Sequence, residues 1–146
     1  MKEIIIASGN KGKIRETQEI LNEYKIISMN ELGIDIDVEE DKNTFEENAI
    51  KKAQTIAKKI GGKMCIADDS GIEIEFLDGF PGVLTKRWHD GTDRERNLAI
   101  IEKLKSVPKE KRKITFTTAI ALSNGETTIY ETGTIDGFVA EKPTRR

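Results

Sequence analysis

Two spacings of apolar residues recur along the 146 residues of this chain, and together they predict an α/β fold. Runs of apolar or alternating residues predict strands, at 4–7, 25–28, 63–67, 72–76, 114–122, 127–134 and 135–140. Apolar residues three or four positions apart predict helices, over 13–24, 44–60 and 93–105. The pair Asn124-Gly125 is typical of a hairpin turn between two of these strands. The order of the elements predicts a mixed sheet flanked by helices.

The segments between these elements are mostly polar. Residues 29–42 are acidic and irregular, which predicts a long loop, and residues 109–113 predict a solvated basic connector. Arg145 and Arg146 end the chain, where we expect a frayed terminus, with phosphate contact as the alternative. The length suits one domain over 1–146, and no internal repeat divides it.

A turn between the first strand and the first helix has a composition that suits phosphate. Glycine lets a backbone approach a ligand closely, and the free N–H groups of a helix's first turn attract anions. The predicted phosphate-contacting residues are Ser8, Gly9, Asn10, Lys11, Gly12 and Lys13. The turn matches neither the P-loop nor the dinucleotide-binding pattern. An ordinary turn before a basic helix start is the alternative.

Two adjacent carboxylates, Asp68 and Asp69, are predicted to follow a buried strand, on a turn that Gly71 allows. Neighbouring residues at a strand end point to opposite faces, so we expect only one of the two to face a given site. That residue would bind a metal, whereas the other would cap the turn. The alternative is a purely structural turn, since Asp and Ser favour turns.

Glu47 is a third candidate carboxylate. With Thr44 it matches a capping box at the start of the second helix, which is a sufficient structural reason for its presence. The functional interpretation is that Glu47 and Asp69 together hold Mg²⁺, which takes one or two carboxylates and completes its shell with water and phosphate oxygens.

Composition excludes several other classes of protein. The net charge of −2 provides no broad basic field for a nucleic acid, and no apolar run is long enough to span a membrane. Cys65 is the only cysteine, so it forms no intrachain disulfide and is expected to be a small core residue. These features predict a cytoplasmic protein.

Four blocks in order resemble the inosine triphosphate pyrophosphatase family, which removes non-standard purine nucleoside triphosphates. They are ASGNKGK at 7–13, TFEENA at 44–49, IADDSG at 66–71 and the Phe-Pro-Gly-Val turn at 80–83. The resemblance runs from Met1 to about Pro143. It implies a long mixed sheet with two lobes around a cleft, hydrolysis of ITP, dITP or XTP to the monophosphate and pyrophosphate, and a homodimer.

The resemblance also implies roles for particular residues. The loop at 8–13 would grip the triphosphate, and Ser70 would contact the substrate. Glu47 and Asp69 would hold Mg²⁺, and Asp69 would accept a proton from the attacking water.

The chain departs from the family at its C-terminal side. The family continues past the position of Pro143 into segments that grip the purine base, and these are expected to be missing here. The main alternative is therefore a catalytically impaired nucleotide-binding protein of the same fold. A Maf-like pyrophosphatase is a further alternative, but its usual Ser-x-Ser-Pro-Arg-Arg start is not matched at Ser8.

Overall fold

A computed structural model describes residues 2–142 of the chain. Within this range the strands are β1 (Glu3–Ile6), β2 (Lys25–Ser28), β3 (Cys65–Ile74), β4 (Lys113–Ser123) and β5 (Thr128–Phe138). The helices are α1 (Lys11–Ile20), α2 (Phe45–Lys59) and α3 (Asp93–Lys103), with short 3-10 turns between elements. The predictions for Arg145 and Arg146 lie outside the described residues.

The strands form one five-stranded sheet in the order β2-β1-β3-β4-β5. β1 pairs in parallel with β2, where Ile5 lies opposite Ile27, and with β3, where Ile5 lies opposite Cys65. The predicted α/β class is confirmed. The predicted strands at 127–134 and 135–140 are one strand, β5, and the turn after β4 contains Gly125 with a φ of 96°.

The chain divides into two compact units, Met1–Asp69 with Ala119–Thr132, and Ser70–Thr118 with Gly133–Arg146. In the first unit, Ile4, Ile6 and Ile26 form a core against which Ile14 of α1 and Ile66 of β3 pack. α2 buries the apolar stripe that the sequence predicts, including Phe45, Ala49, Ala53 and Ile56. In the second unit the core is Ile74, Ile100 and Leu104.

β3 corrects the prediction of two short strands joined by a turn. The strand runs without interruption from Cys65 to Ile74, so Asp68 and Asp69 lie within it rather than on a turn. Their burial follows the strand's alternation, since Asp69 is buried with Cys65 and Ala67 whereas Asp68 is partly exposed. The turn propensity of Asp, Ser and Gly is overridden because β3 is held between β1 and β4.

The connector at 109–113 corrects a second expectation. Most of it is exposed, but Arg112 is only 2% exposed. Its guanidinium donates to the backbone carbonyls of Leu104 (2.6 Å), Val139 (2.9 Å) and Ala140 (2.8 Å). Arg112 therefore ties three parts of the second unit together instead of facing solvent.

Candidate active site

The loop before α1 is organised by its own side chains. Ser8 Oγ accepts a hydrogen bond from the Asn10 N–H (3.1 Å), and Asn10 Oδ1 caps the helix by accepting one from the Lys13 N–H (3.1 Å). A Cβ at Gly9 would lie 2.7 Å from Asn30 Nδ2, so the close approach of the backbone there needs glycine or a displaced Asn30. The loop is thus a preformed helix N-terminus of the kind that binds anions.

Lys13 connects this loop to β3. Its Nζ lies 2.6 Å from Asp68 Oδ2, and both side chains are partly exposed. Asp68 therefore holds a lysine from the first turn of α1 against the strand instead of capping a turn. The expectation that the two adjacent carboxylates have different surroundings is confirmed, because Asp69 contacts other residues.

Asp69 is 8% exposed and accepts a hydrogen bond from Asn48 Nδ2 of α2 (2.9 Å). Burial raises the pKa of Asp69 from its ordinary 3.8 to about 6; the bond from Asn48 opposes this rise, and the neighbouring carboxylate of Glu40 adds to it. A buried carboxylate whose proton is held near neutral pH is suited to accept a proton.

Glu40 is the residue that the sequence analysis missed. Its carboxylate raises the pKa of Asp69, and Lys52 Nζ lies 2.6 Å from Glu40 Oε1. Lys52 also donates to the backbone carbonyl of Asp68 (3.2 Å) and its charge lowers the pKa of Asp69. Two carboxylates and one lysine therefore meet at β3.

Side chains of α2 fix the segment 39–42 that carries Glu40. Lys51 Nζ donates to the carbonyl of Glu39 (2.8 Å) and pairs with Asp41 (2.7 Å). The Lys42 N–H donates to Asn48 Oδ1 (2.8 Å). The acidic stretch predicted as an irregular loop is thus held to a helix at several points.

Glu47 and Ser70 have other described partners. Thr44 Oγ1 accepts a hydrogen bond from the Glu47 N–H (3.1 Å), so the predicted N-cap is present. The Glu47 carboxylate accepts from the Thr44 hydroxyl (3.1 Å), whereas the predicted capping box has it accept from the Thr44 backbone N–H. Ser70 lies in the second unit and its hydroxyl donates to Thr118 Oγ1 (3.1 Å). Metal binding by Glu47 and substrate contact by Ser70 stay predictions.

Cys65 and His89 pack against other residues of the fold. Cys65 is fully buried, and burial raises the pKa of its thiol to about 12, so it is a core residue as predicted. The His89 ring lies 5.2 Å from the ring of Trp88, which in turn packs edge-on against Phe80.

No helix in the described part of the chain is long and apolar enough to cross a membrane.

The fold and the site define an α/β protein equipped to bind a phosphorylated ligand, with a helix N-terminus rich in glycine and lysine and a strand that carries the partly exposed Asp68 and the buried Asp69. The chain belongs to the Ham1 family, whose model matches residues 4–146. It is 43% identical to the dITP/XTP pyrophosphatase of Bacillus subtilis (strain 168), over 98% of this chain and 74% of that protein. It is 41% identical to the dITP/XTP pyrophosphatase of Clostridium perfringens (strain 13 / Type A), over 97% of this chain and 74% of that one.

Solved structures agree with the fold. A HAM1 protein from Coxiella burnetii superposes with a TM-score of 0.88 at 37% identity, covering 99% of this chain and 76% of that one. The Ham1 protein of Staphylococcus aureus gives a TM-score of 0.86 at 38% identity, over 96% and 73% of the two chains.

Proposed function

We propose that this protein hydrolyses non-standard purine nucleoside triphosphates, such as ITP, dITP and XTP, to the nucleoside monophosphate and pyrophosphate. The observation that carries the proposal is the juxtaposition of Asp69 with Glu40 and Lys52, together with Lys13 held against the neighbouring Asp68. The names of the similar bacterial proteins give the same substrate class.

The residues of the site fit a divalent cation such as Mg²⁺. The carboxylate of Glu40 and the burial of Asp69 both disfavour the ionised form of Asp69, and a divalent cation beside the two carboxylates would offset that cost. Mg²⁺ held by two carboxylates completes its shell with water and phosphate oxygens. We propose Asp69 and Glu40 as its protein ligands, with the predicted Glu47 as the alternative to Glu40.

Bound there, the cation would neutralise phosphate oxygens and lower the pKa of a coordinated water. The protein's own groups supply the rest of the chemistry. Lys11, Lys13 and the free N–H groups of the loop at 8–13 offset the negative charge of the triphosphate and of the leaving pyrophosphate. Asp69 accepts the proton of the water that attacks the α-phosphorus, because its buried carboxylate lies on β3 next to the proposed cation and is ionised at alkaline pH.

Three further properties belong to the same proposal. The protein acts in the cytoplasm, which the single buried cysteine supports. It forms a homodimer, and hypoxanthine and xanthine are its preferred bases. Ser70, which follows Asp69 in the sequence, contacts the substrate.

The test is product analysis with the purified chain, Mg²⁺ and ITP, dITP, XTP, ATP or GTP at alkaline pH. We expect equimolar monophosphate and pyrophosphate from the first three and much slower release from ATP and GTP. In ¹⁸O-labelled water the label should enter the monophosphate, because water attacks the α-phosphorus. Tight ITP binding without pyrophosphate release would instead identify an impaired nucleotide-binding protein.

Paired variants test the two candidate metal ligands. Glu40→Gln should raise the Mg²⁺ concentration needed for half-maximal hydrolysis by about 10- to 100-fold, whereas Glu47→Gln should change that concentration by less than about twofold. The reverse result would restore Glu47 as the ligand. Asp69→Asn should abolish hydrolysis, and normal turnover by that variant would refute the assignment of the proton acceptor.

A further inference from the structure

One side chain in the first unit connects the segment carrying Glu40 to Asp69. Asn48 is 1% exposed and lies in the first turns of α2. Its Oδ1 accepts the Lys42 N–H at 2.8 Å, and its Nδ2 donates to Asp69 Oδ2 at 2.9 Å. A single buried amide thus contacts the end of the 39–42 segment and a carboxylate of β3.

An amide is the chemical group that these contacts require. One end must accept from a backbone N–H and the other must donate to a carboxylate, and the two ends of an asparagine do this at once. A carboxylate at this position would offer only acceptors and would face Asp69 with a like charge. An apolar side chain of similar size would leave both the Lys42 N–H and the Asp69 carboxylate without this partner.

The position of Asn48 links the segment that carries Glu40 to Asp69. Lys51 and Lys52 hold the segment through longer, partly exposed side chains, with 29% and 18% of their surfaces accessible. Asn48 is the shorter and more deeply buried connection. Because it holds Lys42, two residues from Glu40, its position also bears on that of Glu40 relative to Asp69.

We propose that Asn48 is a positioning residue, whose amide holds segment 39–42 and Asp69 together so that Glu40 and Asp69 form one divalent-cation site. The inference rests on the proposed function for the identity of the site. It adds that affinity for the cation depends on a residue that does not itself bind the cation.

The experiment measures Mn²⁺ binding by electron paramagnetic resonance, without nucleotide, for the unchanged chain, Asn48→Leu and Asn48→Asp. We expect both substitutions to weaken Mn²⁺ binding by about 10- to 100-fold, as removal of an outer-shell partner does. At saturating metal, KM for ITP should change by less than about twofold, because the described hydrogen bonds of Asn48 go to Lys42 and Asp69 and not to the phosphate-contacting residues 8–13. Unchanged Mn²⁺ affinity in both variants would overturn the proposal.

Gln54→Ala is the matched control, because Gln54 lies on the same helix and donates through its amide to Thr128 Oγ1 at 2.9 Å. It should lose a comparable hydrogen bond while binding Mn²⁺ as the unchanged chain does. An equal loss of Mn²⁺ affinity in this control would show a general effect of weakening α2 and would overturn the proposal.

A double-mutant cycle separates positioning from simple destabilisation. If Asn48 acts by placing Glu40, then Asn48→Leu should have little further effect on Mn²⁺ affinity in a Glu40→Gln background. Additive losses would overturn the proposal, even where Asn48→Leu is less stable than the unchanged chain.

The outcomes distinguish this proposal from the proposed function. Mn²⁺ binding that depends on Asn48, in a chain that releases no pyrophosphate from any triphosphate, would leave the proposal standing and refute the enzyme activity. Hydrolysis of ITP by a chain whose Mn²⁺ affinity is unchanged by the Asn48 substitutions would support the enzyme activity and refute the role of Asn48. A chain that does not bind Mn²⁺ at all would refute both.

Discussion

Replacing Asp69 by Asn should stabilise the metal-free protein at alkaline pH while removing its activity. Asp69 is buried against α2, and burial with the nearby Glu40 raises its pKa to about 6. Its ionised form is therefore the less favourable one in the folded state. An asparagine is neutral at every pH, and its Oδ1 can still accept the hydrogen bond from Asn48.

The size and the pH window of this effect follow from the two pKa values. Because the folded-state pKa of Asp69 is above the ordinary 3.8, the folded chain binds the proton more tightly than the unfolded chain. The stability from this proton is present below about pH 4, declines as pH rises to about 6 and is absent above that. A pKa difference of about two pH units corresponds to about 3 kcal/mol.

We therefore expect Asp69→Asn to raise the free energy of unfolding by about 2 to 3 kcal/mol at pH 8 and by nearly nothing at pH 4. The corresponding rise in melting temperature at pH 8 is roughly 6 to 10 °C. The assay is urea unfolding at both pH values in excess chelator, so that no divalent cation contributes. Adding Mg²⁺ at about 100 times its Kd should stabilise the unchanged chain by about 2.7 kcal/mol and the variant hardly at all.

Asp93→Asn is the control for the substitution itself. A hydrogen bond from Arg96 lowers the pKa of this exposed residue, so its replacement should not stabilise the protein at pH 8. The reasoning is refuted if Asp69→Asn gives no stabilisation at pH 8, or if the gain is the same at pH 4 and pH 8.

Two further predictions follow from the loop and from the second unit. Lys13→Met should raise KM for ITP by about 10- to 100-fold, because a charged contact to the phosphates is lost. It should leave Mn²⁺ affinity unchanged, because Lys13 pairs with Asp68 rather than Asp69. Steady-state kinetics and electron paramagnetic resonance check the two results, and a large loss of Mn²⁺ affinity would contradict the prediction. Arg112→Leu should lower the free energy of unfolding by about 3 kcal/mol, because three carbonyls lose a charged donor and the one of Leu104 is buried. Urea unfolding checks this against exposed Lys111→Leu, and equal effects of the two substitutions would contradict it.

The fold followed largely from local patterns. β2 has the predicted bounds of 25–28, and α2 begins and ends within one residue of the predicted 44–60, because its apolar stripe and its Thr44 cap agree. β3 did not follow, since the Asp-Asp-Ser-Gly sequence favours a turn when taken alone. Pairing with neighbouring strands and the partners Lys13 and Asn48 make a strand more stable there.

The burial of Arg112 likewise could not be predicted from the local sequence. Its neighbours Lys111 and Lys113 are exposed, as a charged run predicts, whereas Arg112 is buried. Nothing in the run of charges distinguishes it, because its acceptors are the carbonyls of Leu104, Val139 and Ala140, 8 to 28 positions away. Partners that distant in sequence are set by the tertiary fold rather than by local spacing.

Glu40 could not be selected from the sequence for a related reason. The segment 29–42 contains several acidic residues with no periodicity, and each is an equally plausible oxygen ligand when considered alone. Two neighbouring lysines on α2 distinguish Glu40 from the other acidic residues. Lys51 forms an ion pair with Asp41. Lys52 forms an ion pair with Glu40 and also donates a hydrogen bond to the backbone carbonyl of Asp68. The helix therefore selects which carboxylate meets Asp69. A search for metal ligands by residue type favours Glu47 because it lies on a predicted helix, yet the described contacts of Glu47 are those of a helix cap. The proposed choice of Glu40 over Glu47 therefore rests on the lysine that holds the acidic segment rather than on residue type.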